Sequence, residues 1–127
     1  MPLDRGWYQK PQVEDGIVFR HSRGARSWLR IPIRDQRDLR LTLRARSELR
    51  DAPLEVSVAV NGIPAGSQVV PATWSNTIFE IPAAAIRPGV NEVALAYSAT
   101  PLGLHPGQGG RNNAMSVDWL RFEPVVP

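Results

Sequence analysis

The chain has 127 residues, 43% of them hydrophobic, and contains no cysteine, which excludes disulfides, thiolate catalysis and cysteine-based zinc sites. That length suits one domain, 1–127, able to bury a real core, and no apolar stretch approaches the ~18–20 residues needed to cross a bilayer, so no membrane partner is expected. The formal net charge of +3 is almost entirely arginine against acid: Lys10 is the one lysine, and eleven of the 14 arginines fall between Arg5 and Arg50.

The start, Met1-Pro2-Leu3-Asp4-Arg5, lacks the basic and then apolar pattern of a signal peptide. An exported protein would therefore carry this chain as a mature domain or an excised piece. Weak strands are expected over 5–9 and 16–21. From there the dominant period is two. Over 27–33, Leu29, Ile31 and Ile33 share one side, with Trp28 and Arg30 opposite. Over 38–46, Leu39, Leu41, Leu43 and Ala45 point one way and Arg40, Thr42, Arg44 and Arg46 the other. Over 54–60, Leu54, Val56, Val58 and Val60 alternate with Glu55, Ser57 and Ala59. Such alternation marks strands with one wet face. Asn61-Gly62 then suits a primed hairpin turn. Further weak strands are expected over 68–71 and 76–81, and 83–87 allows one helical turn at most. Arg87-Pro88-Gly89 precedes a strand at 90–97 that groups Val93, Leu95 and Tyr97. Pro53, Pro64, Pro71, Pro82 and Pro101 sit at strand edges, where no ladder donor is needed.

Residues 98–113 form a long connection without strand patterning, the kind that in a compact domain usually carries function or disorder. The last strand, 115–123, reads two ways. Met115, Val117 and Trp119 share one parity, Leu120 and Phe122 the other, as if both sides were covered. About eight strands at 8–12-residue intervals predict an all-β, two-sheet sandwich or jelly roll.

Catalytic chemistry finds little purchase. There are two histidines, His21 and His105, and no nucleophile elbow, phosphate-binding glycine loop, His-Glu-x-x-His or dinucleotide fingerprint. The chain reads as a non-enzyme. Glu14-Asp15, or Asp118 with Glu123, offer carboxylates to a hard cation, or are plain surface acids. Arg40, Arg44 and Arg46 make a basic strip, but stacking aromatics do not share it and acids at 35, 38, 48 and 51 dilute its field. Nucleic acid is not expected. Four Trp beside three Phe and two Tyr is a high share, and indole faces stack on the CH-rich faces of sugars. Trp74 reads as a loop tip, Trp28 as outward and Trp119 as core. In the 98–113 connection, His105, Arg111, Asn112 and Asn113 supply donors and acceptors for hydroxyls. An Arg-rich outer face suits an acidic sugar.

Four segments run in order: Val56-Ser57-Val58-Ala59-Val60-Asn61-Gly62, Phe79-Glu80-Ile81-Pro82, Ile86-Arg87-Pro88-Gly89-Val90-Asn91-Glu92-Val93-Ala94-Leu95, and Val117-Asp118-Trp119-Leu120-Arg121-Phe122-Glu123. The series resembles the galactose-binding-domain-like jelly rolls, most nearly the carbohydrate-binding-like domain of rhamnogalacturonan lyases. It is also similar to family 6 and 35 carbohydrate-binding modules. Gly6-Trp7-Tyr8 with Phe19-Arg20-His21-Ser22 looks like accessory sandwiches of bacterial sulfatases and cell-surface enzymes. The resemblance implies a non-catalytic glycan-binding module, extracellular or at the cell surface, accessory to a larger or partnered enzyme. It implies sugar contacts at one edge, near an Asn before the closing strand, where Ser116 stands here with Asn112 and Asn113 a few residues earlier. It also raises a structural calcium with unassigned ligands. The expected contacts are Trp74, His105, Arg111, Asn112 and Asn113. The alternative is a structural sandwich that packs Trp28 and the Arg40–Arg46 face against a neighbouring domain or subunit.

Overall fold

The computed structural model describes residues 5–8, 12–14, 16–49, 53–98 and 114–125. Among them nine strands form two antiparallel sheets: β1 (Gln12–Glu14), β2 (Ile17–His21), β3 (Arg26–Ile33), β4 (Leu39–Ser47), β5 (Leu54–Val60), β6 (Ile63–Val70), β7 (Ser75–Ile81), β8 (Gly89–Tyr97) and β9 (Met115–Pro124). One sheet has the order β1-β2-β9-β4-β7 and the other β3-β8-β5-β6. From β2 onward the chain switches sheets at every connection except the β5–β6 hairpin. Each sheet therefore interleaves strands distant in sequence, as a jelly roll requires.

The alternation chooses the buried faces. Leu41, Leu43 and Ala45 from one sheet meet Leu29, Val56, Val58, Val93 and Leu95 from the other, in one shared core. Asn61 and Gly62 both adopt positive φ, 51° and 81°, which makes the two-residue turn after β5 the primed type its sequence calls for. The helical turn expected within 83–87 is a single 3₁₀ turn, Ala83–Ala85.

Four expectations need correction. The strand at 68–71 is the end of a longer one, β6, because the tight turn hands the chain straight back along β5. Residues 5–8 contribute an isolated bridge, Trp7 to Ser22, where a strand was expected. The segment is tied instead by single bonds, Tyr8 N to His21 O and Trp28 N to Arg5 O. Its Trp7, 6% exposed, is the tryptophan of the core, with its indole N–H donated to Trp28 O. Trp119 is only half-buried and stacks against Arg121 on the outer surface. The reason lies in β9. Ala45 pairs with Val117 and Arg44 with Trp119, so Asp118 is an extra residue, a β-bulge. The bulge flips the parity. Met115, Val117, Leu120 and Phe122 all turn toward the core, and β9 is covered on both sides only at its start, where Ser116 is buried on the outer face.

Candidate functional site

The register brings β2 and β4 to their ends, and β7 and β9 to their starts, at one end of the five-stranded sheet. His21 pairs with Ser116, Ser116 with Arg46, and Ala45 with Ser75. One row of outward side chains thus crosses three strands: His21, Ser116 and Arg46. Trp74 stands beside it, immediately before β7. Ser47 N donates to Pro71 O (2.7 Å) and Ser75 Oγ to Thr73 O (3.1 Å), fixing the backbone on either side of the indole.

Beneath Trp74 lies Phe19, 3% exposed yet separate from the inter-sheet core. It meets Trp74 edge-on, with centroids 5.2 Å apart at 67°, and His21 at 5.3 Å and 82°. The Arg46 guanidinium lies 4.8 Å from the Trp74 centroid and 5.1 Å from that of Phe19. Edge-to-face and cation–π contacts of this kind hold rings in place.

Arg46 is also gripped by two acids. Nη1 and Nη2 donate to the two carboxylate oxygens of Glu14 (3.1 and 3.2 Å), and Nε donates to Glu48 Oε2 (3.2 Å). The hydrogen bond to Arg46, then its charge, hold the Glu14 carboxyl below the usual carboxylate range. Arg46 is held more firmly protonated in return, first by the bond to Glu14 and then by Glu48, against partial burial. With two carboxylates and one guanidinium, this cluster has a formal charge of −1 when His21 is neutral.

Ser116, fully buried, joins the two halves. Its Oγ donates to Glu48 Oε2 (2.7 Å) and lies 2.7 Å from His21 Nδ1. An ionised carboxylate only accepts, so the hydroxyl proton points at Glu48 and His21 Nδ1 must be the donor to Oγ. A serine nucleophile needs the reverse, with imidazole accepting its proton. His21, Ser116 and Glu48 thus form one chain of hydrogen bonds in which the serine proton is directed at Glu48.

Of the five expected contacts, Trp74 falls in this cluster. His105, Arg111, Asn112 and Asn113 lie outside the described residues, as does Asp15. The chain re-enters beside the cluster, with Ala114 O accepting from Glu48 N (2.8 Å). Glu14, Phe19, His21, Arg46, Glu48 and Ser116 were not expected as sugar contacts or as one cluster. Their parity is readable, but their meeting depends on pairings between strands far apart in the chain. Among the described residues no three Asp, Glu or His side chains group to hold a metal ion. Glu14, Asp118 and Glu123 are each engaged by an arginine, Arg46, Arg44 and Arg121.

No protein-family model matches the sequence, and no curated protein matches it. Solved structures do. A family 35 carbohydrate-binding module from Cellvibrio japonicus superposes with a TM-score of 0.64 at 17% identity, over 98% of this chain and 85% of that one. A carbohydrate-binding module of Cellvibrio mixtus lichenase 5A, solved with cellotriose, gives 0.58 at 12% identity, over 96% and 89%. A ruminal GH26 endo-β-1,4-mannanase gives 0.58 at 16% identity over 91% of this chain, which spans only 21% of the enzyme's length. The chain shares the two-sheet jelly-roll fold of these structures.

Proposed function

We propose that this chain is a non-catalytic carbohydrate-binding module, working beside an extracellular or cell-surface enzyme. The observation that carries the reading is Trp74: a half-buried indole at the sheet's end, buttressed by Phe19 and Arg46, with the His21–Ser116–Glu48 network alongside. An aromatic wall with a few fixed polar groups is the general form of a sugar pocket. His105, Arg111, Asn112 and Asn113 stay in the proposal as polar contacts on their chemistry alone.

The arginine row does not make this site one for acids. Arg40 pairs with Glu80, Arg44 with Asp118 and Arg46 with Glu14 and Glu48. Hydroxyl-rich neutral sugars suit the cluster's charge, and the lichenase module's cellotriose makes β-linked glucans the first ligands to try. Affinity electrophoresis against a panel of neutral and acidic polysaccharides tests the reading. We expect retardation by a neutral polymer that Trp74→Ala weakens by about 10- to 100-fold, the range of a single stacking contact. Trp119→Ala, on another part of the sheet, leaves it unchanged. Free migration through every polymer, or full binding by Trp74→Ala, overturns it.

A further inference from the structure

The outward row that ends at Trp74 has a second row behind it on the same three strands. Two residues on from Ser116 in β9 stands Asp118; two residues before Arg46 in β4 stands Arg44; two residues after Trp74, in β7, stands Asn76. The register sets Arg44 directly opposite Asn76. The bulge leaves Asp118 on the outer face, with its carboxylate 3.5 Å from Arg44 Nε. Re-aiming a side chain beside a site is a common use of a bulge. Arg44 Nη1 donates to Asn76 Oδ1 (3.4 Å). A guanidinium only donates, so the amide oxygen is the end turned to Arg44, and the two amide N–H groups of Asn76 point elsewhere. Asn76 is exposed, and among the described residues nothing accepts from those N–H groups. The Trp119 ring lies against Arg121, one row further along, and stands apart from this set.

The second row is chemically suited to hydroxyls. A hydroxyl both donates and accepts; Asn76 and Arg44 supply donors, and Asp118 supplies acceptor oxygens. Arg44 and Asp118 cancel in formal charge, so the row attracts neither sign of ligand. Two residues of strand advance about 6.6–6.8 Å, close to the length of one sugar unit. We propose that Asn76, Arg44 and Asp118 form a second sugar subsite: a neutral β-glucan runs along β4, one residue stacked on Trp74 and the next hydrogen-bonded to this row. The inference rests on the glycan-binding reading and adds the direction of the bound chain and the number of residues it must have. A carboxylate on the second sugar would meet Asp118, so the row also works against acidic polymers.

The test titrates the full chain with methyl β-glucoside, cellobiose and cellotriose, followed by NMR so that weak affinities are measured. The wild type is expected to bind cellobiose several-fold more tightly than the glucoside, and the Asn76 side-chain amide signals should move with cellobiose but not with the glucoside. Asn76→Ala and Asp118→Ala should each weaken cellobiose and cellotriose by roughly three- to tenfold, the effect of one hydrogen bond, and leave the glucoside unchanged. Trp74→Ala should weaken all three ligands. Equal weakening of glucoside and cellobiose by the Asn76 and Asp118 variants, or no weakening of either, overturns the second subsite and leaves the Trp74 reading standing. A wild type that binds no cello-oligosaccharide also overturns the subsite, and the polysaccharide panel then decides the Trp74 reading separately.

Discussion

Arg46 spends three of its N–H groups on two carboxylates while its flat face lies against two rings. The pair with Glu14 ties the short hairpin β1–β2 to the centre of the sheet. Because the folded-state pKa of Glu14 is depressed, first by the hydrogen bond from Arg46, its contribution is present above the ordinary carboxylate value and lost as pH falls through the lowered one. Glu14→Gln is therefore expected to melt below the wild type at neutral pH, with the gap closing as the solution is acidified past the carboxylate range. A gap that persists unchanged at acid pH would mean the pair does not act through charge. Tyr97 is the opposite case. Burial pushes its phenol well above the ordinary value, only partly offset by the bonds with Ser27 and Ser22. Its neutral form stabilises the fold at pH values below the ordinary tyrosine range, and that stability is lost as pH rises beyond it. Tyr97→Phe should cost about 1 kcal/mol at neutral pH, since Ser27 loses a donor at 2.7 Å. The variant should also lose the late phenolate step of a spectrophotometric titration, the step that in the wild type accompanies alkaline unfolding. None of this was readable from sequence: Arg46 and Glu14 lie 32 positions apart, and His21 and Ser116 lie 95 apart.

Strands announce themselves through parity, and β4, β5 and β8 do so cleanly because each buries one face along its whole length. β9 misled for a definite physical reason. A bulge changes parity without changing composition, so Val117 and Leu120 look like residues of opposite faces until Asp118 is seen to have no partner across the ladder. This separates two variants that a sequence reading treats alike. Asp118→Ala removes a half-exposed ion pair with Arg44 at 3.5 Å and should cost under about 1 kcal/mol. Deleting residue 118 removes the parity flip. Then either Met115 and Val117 or Leu120 and Phe122 must face water, at a cost of about 3 kcal/mol or more. Chemical denaturation of both variants checks the contrast; equal losses would refute the bulge as the device that sets the register. The segment before β1 misled differently. It follows the rim of the other sheet without joining it, held by Gly6 at φ 86°, where an added Cβ would meet Arg26 O and stand 2.6 Å from Ser27 Cα. A glycine needed for close approach looks the same in sequence as one needed for a turn.

At the scale of the molecule, the sandwich separates features that the sequence ran together. Trp28 lies on the outer side of the β3-β8-β5-β6 sheet with Arg5 over its ring at 4.2 Å, whereas Arg40, Arg44 and Arg46 project from the opposite sheet. No single flat contact covers both, which weakens the assembly reading that joined them. The remaining large apolar side chains exposed among the described residues are Val13, Ile63, Val69, Ile78 and Val90, spread over β1, β6, β7 and β8. Singly scattered residues of this kind are ordinary surface and do not form the continuous apolar patch a stable dimer buries. Edge pairing is discouraged as well. β6, at one edge, carries Pro64 and a register shift with Gly66 at φ 111°, both of which interrupt a ladder. The chain is accordingly expected to run as a monomer of about 14 kDa in light scattering at micromolar concentration. A β-glucan oligomer should then raise its melting temperature without changing that mass, since a ligand held at the Trp74 end stabilises the folded monomer by mass action. A stable dimer that Trp28→Ala dissociates would reverse the order of the two readings, making the outer face of the four-stranded sheet the working surface.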